Sequence, residues 1–561
     1  MIRSLLIFNL LFWVFYPLPS QVQIPSSTAE QLQTHSVRKK LLEQSICQDI
    51  GLRNVGPTIF GGRVVDIEAN SDQPHIFYVA FASGGLWKTI NNGASFVPLF
   101  DSEASMTIGD IAVDWKHGII YVGTGENNSS RSSYSGTGMY KSYNDGKSWI
   151  HCGLIESQHI GRIVLDQQDS LYLSVAVLGH LYSKNKERGV YISRDGGTSW
   201  IRTLFINDST GVVDLISDPI DPNTLYAAAW TRMRTAWNLT ESGPGSAIYK
   251  STDHGLNWIK ISGVLSGFPE GENVGRIGLS MFHQKDTAII YAVLDQQERR
   301  PAKEKIKTDL QKNDFKSMSI DQLLAIKDDR LEKFLRDNGF PKKYSAAEIK
   351  KLVSSNKVSA KQIAEYLEDG NSLLFDTPVK GSEIYRSMDL GKTWIKTHDG
   401  FFDGLYYSYG YYFGQIRVDP KDWRTIYLLG VPLLKSKDAG KTFVSIDEDN
   451  QHGDHHALWV NPEMTSHLIN GNDGGINISY DGGIQWSRCT HPPVGQFYSI
   501  QYDLNEPYNI YGGTQDNGVW KGSSKYTENT GWQISGNYPY KSILGGDGMQ
   551  VDIDNREQEF I

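Results

Sequence analysis

An eight-residue pattern, Ser/Thr-x-Asp/Asn-x-Gly-x-x-Trp/Phe, occurs seven times in this chain. Within each copy, the Ser/Thr and Asp/Asn side chains can close a turn by bonding nearby backbone N–H groups, and the glycine can take a positive φ. The aromatic residue then opens a strand and is available to pack between neighbouring sheets. Seven copies in phase indicate a repeat architecture. The copies are 89–96, 142–149, 193–200, 251–258, 387–394, 436–443 and 479–486.

The spacing of the copies predicts an all-β fold, a multi-bladed β-propeller. The first four copies begin about fifty residues apart, which is the length of a four-stranded blade. We expect seven blades over 52–496, with the pattern in the turn between the third and fourth strands of each. An eighth blade is expected from Phe497 and the start of a ninth at Gly545. Because a half-built blade exposes an unpaired sheet edge, we expect residues 497–561 to be truncated and the chain to be a fragment.

A small α-helical insertion is predicted in the fifth blade, at about 298–380. The spacing of the repeats lengthens there, and the composition changes to Lys, Asp, Leu and Ala. The insertion is either a surface decoration or a lid over the binding face. Capping-box spacings predict its helix starts, at Ser319 and Gln322, Ser345 and Glu348, and Ser359 and Gln362.

The N-terminus has the features of a secretory signal peptide, predicted over residues 1–20. Arg3 is the basic region, Leu5 to Phe15 is apolar apart from Asn9, and Ser20 offers a small residue for cleavage. A membrane anchor is the alternative, but the apolar run is short for a span. Residues 21–51 are polar and predict a linker or a surface helix. We therefore expect a protein that is secreted, periplasmic or on the cell surface, with no membrane span after cleavage.

Charge and cysteine content exclude two classes of protein. The formal net charge of −9 argues against a general nucleic-acid binder, and three cysteines cannot build a disulfide framework. No phosphate-binding loop, Gly-x-Ser-x-Gly or zinc-protease helix motif occurs. We expect no cofactor.

Three acids are candidates for catalysis. In a four-stranded antiparallel blade, the loops between strands two and three share a face with the blade-to-blade loops, and propellers usually bind ligands there. Glu126, Asp473 and Asp516 lie in loops of the first kind. They could supply the two carboxylates of a glycosidase, one protonated and one ionised. Each could instead cap a glycine-rich turn.

The blade-to-blade loops on the same face carry candidate ligand-binding residues. The cluster His452, Asp454, His455 and His456 contains side chains that could bind a metal. Adjacent residues rarely all point at one ion, so we expect no metal and leave three roles open: loop anchor, acid–base site or structure. The tyrosine run 406–412 could stack on sugars or fill the interface between blades. Further candidates are Tyr406, Tyr409 and Asp547.

Charges alternate at the start of the innermost strands. Arg63, Asp110, Arg162, Asp214 and Arg276 occupy equivalent positions in the first five repeats. Adjacent opposite charges satisfy each other in a narrow, partly dry space, which predicts an ion-pair belt around the central channel.

Several motifs resemble secreted bacterial proteins grouped with the sortilin N-terminal propeller, which are often labelled glycosyl-hydrolase-like. The repeated pattern is the Asp-box of the bacterial-neuraminidase-type repeat, a structural device. The resemblance runs from about Leu52 to the end of the chain. It implies a propeller and a longer protein, but little biochemistry. The motifs are 52–57, 84–88, 452–456, 471–475 and 515–518.

Asp-box propellers also resemble xyloglucanases and sialidases. In xyloglucanases, one catalytic Asp precedes a Gly-Gly pair at the end of the second strand of blade one. The matching residues here are Ala82 and Ser83, and neither is an acid. Sialidases hold a carboxylate with three arginines, a role open to Arg63, Arg162 and Arg276, but their pattern also needs a Tyr nucleophile paired with a Glu, which cannot be assigned.

The sequence therefore leaves two main functions open. The first is a binding module for an extracellular polypeptide or glycan, which the missing acid at Ala82 and Ser83 favours. The alternative is a glycoside hydrolase, which the acids, histidines and tyrosines on one face favour. A structural role in a surface complex is third.

Overall fold

The computed structural model describes residues 27–560, except 59–60, 129–132, 167, 236, 301–309, 311, 317, 367–378, 408, 528–530, 555 and 557–558. Within this part of the chain the fold is mostly β, with a few helices and eight four-stranded antiparallel sheets. The predicted signal peptide lies outside the described residues, as does part of the predicted insertion.

In each of the eight sheets, the four strands are hydrogen-bonded in chain order. Sheet 1 contains Val64–Ala69, Phe77–Phe81, Gly85–Thr89 and Val97–Pro98; sheet 2, Ile108–Asp114, Ile119–Thr124, Met139–Ser142 and Ile150–His151; sheet 3, Ile160–Leu165, Leu173–Val177, Gly189–Ser193 and Ile201–Leu204; sheet 4, Thr210–Ser217, Leu225–Thr231, Ala247–Ser251 and Ile259–Lys260. Sheet 5 contains Val274–Gln284, Thr287–Arg299, Val379–Ser387 and Ile395–Lys396; sheet 6, Gln415–Val418, Ile426–Leu429, Leu433–Ser436 and Val444–Ser445; sheet 7, His455–Val460, Leu468–Asn472, Gly475–Ser479 and Ser487–Arg488; sheet 8, Phe497–Tyr502, Asn509–Thr514, Gly518–Ser523 and Lys541–Leu544.

The first strands of sheets 1 to 7 form a closed ring. Each contacts the first strand of the next sheet, and that of sheet 7 contacts that of sheet 1. Gly61 N–H also donates to the carbonyl of Gly474 at 3.0 Å. Apolar side chains between adjacent sheets form the core, such as Val64, Phe81 and Ile469 between sheets 1 and 7. Neighbouring sheets thus bury each other's faces, which is the packing of a β-propeller.

The seven turns that carry the repeated pattern have the same hydrogen bonds. In the third of them, the Ser193 hydroxyl accepts from Gly197 N–H at 2.7 Å, and Asp195 Oδ1 accepts from Ser199 N–H at 2.8 Å. Gly197 has a φ of +84°, which suits glycine. The indole of Trp200 donates to the carbonyl of Cys152, in the preceding sheet, at 2.6 Å. Each such turn therefore fixes the third-to-fourth strand connection, and the indoles of Trp149, Trp200, Trp258 and Trp486 also tie it to the preceding sheet.

Helices occur outside the sheets. Helix α1, Thr28–Glu43, begins with a capping box between Ser27 and Glu30. The predicted insertion contains five helices among its described residues, packed around their own apolar core. The predicted capping box of Ser319 and Gln322 is confirmed. The helices after α1 are α2 Lys312–Lys316, α3 Ile320–Leu324, α4 Asp328–Asp337, α5 Ala346–Ser354, α6 Ala360–Tyr366 and α7 Gly531–Ser535, and two single 3₁₀ turns are Ile155–Ser157 and Val264–Ser266.

Sheet 8 lies outside the ring and is bound to it by the segment that precedes sheet 1. The Arg53 guanidinium donates to the carbonyls of Ser524 and Tyr526, and Thr58 N–H donates to the hydroxyl of Tyr538. The first strand of sheet 8 is exposed, unlike the first strands of the ring. After sheet 8 in the chain, Ile553–Asp554 pairs with Glu559–Phe560. A second short pair, Met233–Arg234 with Leu239–Thr240, follows the second strand of sheet 4.

The predicted belt forms only in its middle. The Arg162 guanidinium binds Asp110 at 2.8 Å and Asp214 at 3.1 Å. Each aspartate also accepts a backbone N–H from a neighbouring sheet, as Asp110 does from Ile163 at 2.6 Å. Arg63 and Arg276 leave the belt because their side chains bind partners on the loop face.

Candidate functional site

Four loops bring charged residues together on one face, where sheets 1, 2, 7 and 8 meet. Glu126, Asp473 and Asp516 each follow the second strand of their sheet, and Arg63 directly precedes the first strand of sheet 1. Because these connections share one face of a propeller, all four residues reach the same region. The three acids predicted from sequence are therefore neighbours in one electrostatic cluster.

Arg63 binds two of the three acids. Its Nη1 lies 2.5 Å from Glu126 Oε1, and its Nε lies 3.1 Å from Asp473 Oδ1. All three side chains are buried, with at most 5% of any residue exposed. The ring of Tyr412 lies 4.6 Å from the guanidinium carbon. Arg63 thus holds two carboxylates in a region with little access to water.

Asp473 is the most heavily bonded acid of the site. Besides Arg63, it accepts from the Tyr412 hydroxyl at 3.1 Å, and its Oδ1 lies 3.0 Å from His456 Nε2. Its backbone carbonyl accepts from the Asn517 amide of sheet 8 at 2.9 Å. Burial opposes ionisation of Asp473, but the Arg63 guanidinium, His456 and His452 together outweigh it and hold the pKa of Asp473 well below its usual range. Asp473 is therefore a fixed negative charge.

Asp516, unlike Asp473, is protonated at neutral pH. Burial and then the neighbouring Asp473 carboxylate raise its pKa to about 8, so this half-buried acid keeps its proton at neutral pH. Its backbone has a φ of +61°, and its N–H donates to Asp547 Oδ1 at 3.1 Å. Asp516 is thus a proton donor beside a fixed carboxylate.

The histidine cluster divides among different partners. His455 and His456 are consecutive at the start of a strand whose register shifts between His455 and Ala457, and their rings reach different partners. His455 Nδ1 contacts Asn470 Oδ1 at 2.8 Å, whereas His456 Nδ1 contacts Asn128 Nδ2 at 3.2 Å. Burial lowers the pKa of His456 to about 4, so the ring is neutral and its Nε2 proton faces Asp473.

The remaining two members of the cluster lie in the loop before that strand. His452 Nε2 lies 3.2 Å from the carbonyl oxygen of Asp516. The Asp454 carbonyl accepts Asp473 N–H at 3.2 Å, and burial and the Asp473 charge raise the Asp454 pKa to about 6. Among the described residues, no three His, Cys, Asp or Glu side chains are placed to hold a metal ion together.

The candidate tyrosines are placed differently from one another. Tyr406 is 1% exposed and its ring stacks on Phe413 in the core between sheets 5 and 6. Tyr409 is half-buried, and Asp547 is exposed beside Asp516. Tyr412, in the same run, donates its hydroxyl hydrogen bond to Asp473. The sequence does not distinguish Tyr412 from the other tyrosines of the run, because its role depends on a contact with sheet 7.

Sequence comparisons do not assign a family. A scan with protein-family models finds no match, and a search of curated proteins finds none either. Among the described residues, no helix combines the length and the apolar character needed to cross a bilayer.

Solved structures resemble the chain in fold. An ancestral GH74 enzyme superimposes with a TM-score of 0.50 and 16% identity, over 84% of this chain and 54% of that one. The GH74 xyloglucanase of Xanthomonas campestris gives a TM-score of 0.50 and 14% identity, over 83% and 59%. The chain thus spans little more than half of each of these proteins. At these identities, the likeness supports the β-propeller fold alone.

Proposed function

We propose that the protein is an extracellular glycoside hydrolase that acts through the loop face of its propeller. The observation that carries this proposal is the pair Asp473 and Asp516, two neighbouring carboxyl groups whose pKa values are displaced in opposite directions. Such divergence is how one site keeps one acid protonated and another ionised at neutral pH. Two proteins that share the fold are GH74 enzymes, one of them a xyloglucanase, which supports hydrolysis over binding alone.

In this proposal Asp516 protonates the glycosidic oxygen as the bond breaks. Asp473 is saturated by Arg63 and Tyr412 and is 2% exposed, so it acts through its charge and stabilises the positive sugar ring instead of attacking it. We assign the activation of water to Asp454, which is half-buried and, with a pKa of about 6, ionised at pH 7. Glu126 acts indirectly, by holding Arg63.

A second function, binding without hydrolysis, is favoured by one observation. Ala82 and Ser83 stand where xyloglucanases place a catalytic aspartate, so that acid is missing from this face. The ligand would then be an extracellular polypeptide or glycan held by the same loops.

The finer assignments belong to the same proposal. We interpret sheets 1 to 7 as blades one to seven of a propeller with Asp-box turns, sheet 8 as an eighth blade, and about 298–380 as a helical insertion in blade five. We also propose that residues 1–20 are removed on secretion, that 21–51 is a polar linker that contains helix α1, and that the chain belongs to the sortilin-type propellers.

The test is release of reducing ends from a panel of polysaccharides by the wild-type protein and by Asp516→Asn, Asp454→Asn and Asp473→Asn. Loss of the general acid should lower turnover about 100-fold or more. The wild-type rate should fall below about pH 6, where Asp454 is protonated, and above about pH 8, where Asp516 is ionised. Asp286→Asn, an exposed acid in a turn of sheet 5, is the matched control. A folded wild-type protein that releases no sugar from any polymer would refute hydrolysis and leave the binding function.

A further inference from the structure

An exposed tyrosine lies directly beside the candidate acid. Tyr498 is the second residue of the first strand of sheet 8, and 45% of it is exposed. Its hydroxyl donates to Asp547 Oδ1 at 3.4 Å, and the same oxygen accepts Asp516 N–H at 3.1 Å. Asp547 therefore links the aromatic ring to the backbone of Asp516.

The ring of Tyr498 has the properties of a stacking surface. An aromatic side chain can bind a ligand that is partly apolar and partly polar when its ring is exposed to water and its polar end is held in place. Burial and then the Asp547 and Asp516 charges raise the Tyr498 pKa to about 12, so the phenol remains a neutral hydrogen-bond donor throughout the working pH range. The Asp547 carboxylate has further lone pairs for hydroxyl donors.

The charges around this surface select against anions. Asp454 and Asp547 carry carboxylates on this face, and the charge of Arg63 is balanced by Glu126 and Asp473. A carboxylate or sulfate on the ligand would meet like charges at short range, where repulsion is strong. An uncharged ring with several hydroxyl groups meets no such barrier.

We propose that Tyr498 and Asp547 form a subsite for one uncharged sugar residue, which stacks on the tyrosine ring and donates hydroxyl hydrogen bonds to the aspartate. The subsite rests on the proposed function in that it places this sugar next to the proton donor Asp516. It adds a specificity-determining residue, Tyr498, and a ligand class, neutral glycans.

The subsite is tested by binding, separately from turnover. Electrophoretic retardation is measured in gels that contain one of three uncharged polymers: hydroxyethyl cellulose, galactomannan or arabinoxylan. A fourth gel contains carboxymethyl cellulose, which has the same backbone as hydroxyethyl cellulose but anionic substituents. The Asp516→Asn variant is used as the background, so that hydrolysis cannot affect the result. In this background Tyr498→Ala should weaken binding to the retarding neutral polymer about tenfold, and Tyr498→Phe less than about threefold. Asp547→Asn should weaken it as well.

Tyr502→Ala is the matched control. Tyr502 is a 61% exposed tyrosine on the same strand, about 13 Å further along it. It should leave binding unchanged. The subsite is overturned if no neutral polymer retards the protein, if Tyr498→Ala binds like its parent, or if carboxymethyl cellulose binds as tightly as hydroxyethyl cellulose. If the wild type releases no sugar but Tyr498→Ala still weakens binding, the hydrolase proposal fails and the subsite stands.

Discussion

Replacing Arg63 with methionine removes the cation that holds two buried acids. Methionine keeps most of the apolar stem, so the change isolates the charge. Glu126 and Asp473 would be left as buried carboxylates, each at most 2% exposed. Removing one partner of a buried ion pair costs about 3–5 kcal/mol, and Arg63 serves two acids at 2.5 and 3.1 Å. We therefore expect the free energy of unfolding at pH 7 to fall by about 4 kcal/mol.

The pH dependence of this loss gives a second check. In the wild type, the lowered pKa of Asp473 contributes stability that is present above the unfolded pKa of about 3.9 and is lost as the pH falls through the folded value. In Arg63→Met, burial without a cation raises both carboxyl pKa values above their unfolded values. Protonation at low pH then relieves the buried charge. The loss should be smaller at pH 5 than at pH 8, by at least about 1 kcal/mol.

Urea unfolding followed by tryptophan fluorescence measures both quantities. The triple variant Arg63→Met, Glu126→Gln, Asp473→Asn removes the charges together and should recover part of the loss. Arg336→Met changes a side chain that is 71% exposed and should cost less than about 0.5 kcal/mol. A loss below about 1 kcal/mol in Arg63→Met, or an equal loss at pH 5 and pH 8, would show that these carboxylates are not buried charges held by Arg63.

Three further predictions follow from other parts of the molecule. Gly125→Ala should lower the free energy of unfolding, measured by thermal unfolding, by more than about 3 kcal/mol, because a Cβ there would lie 1.7 Å from the Gln158 carbonyl oxygen. The matched control Gly118→Ala has a similar positive φ but open space around it, and should lower it by only about 1 kcal/mol. Equal losses in the two variants would contradict the clash. Ser193→Ala should cost about 1–3 kcal/mol because it leaves Gly197 N–H without its acceptor, whereas the exposed Thr198→Ala should cost less in the same assay. The temperature of the unfolding midpoint should decrease as the pH is lowered from about 6.5 to about 4, because histidine binds a proton in the unfolded chain while buried His456 stays neutral. His456→Gln should make this decrease smaller. An unchanged pH dependence in that variant would contradict a neutral His456.

The local features of the fold could be predicted from the sequence because they depend on neighbours along the chain. The turn at Ser193 contains all its own donors and acceptors within eight residues, and the cap at Ser319 needs only Gln322. The grouping of Glu126, Asp473 and Asp516 on one face also followed, since it depends only on which strand each loop follows.

The partners across the ring could not be predicted. Arg63 and Asp473 are 410 positions apart, and their contact exists only because the seventh sheet closes on the first. From the sequence alone, which does not show that closure, Arg63 is predicted to belong to a repeating belt and Tyr412 is one tyrosine in a run. The separate partners of His455 and His456 depend on where the strand begins and on its register shift before Ala457, neither of which the loop sequence fixes.

The clamp of Arg53 on sheet 8 has a consequence for the order of assembly. Arg53 and Tyr526 are 473 positions apart. At a synthesis rate of about 5–20 residues per second, Arg53 is made roughly 25–95 s before its acceptors exist. Throughout that interval Arg53 has no carbonyl acceptor on sheet 8, and for most of it the first strand of sheet 1 also lacks its neighbour in sheet 7, His455–Val460. The segment around Arg53 is therefore among the last parts of the described chain to gain its partners, although it is among the first to be made.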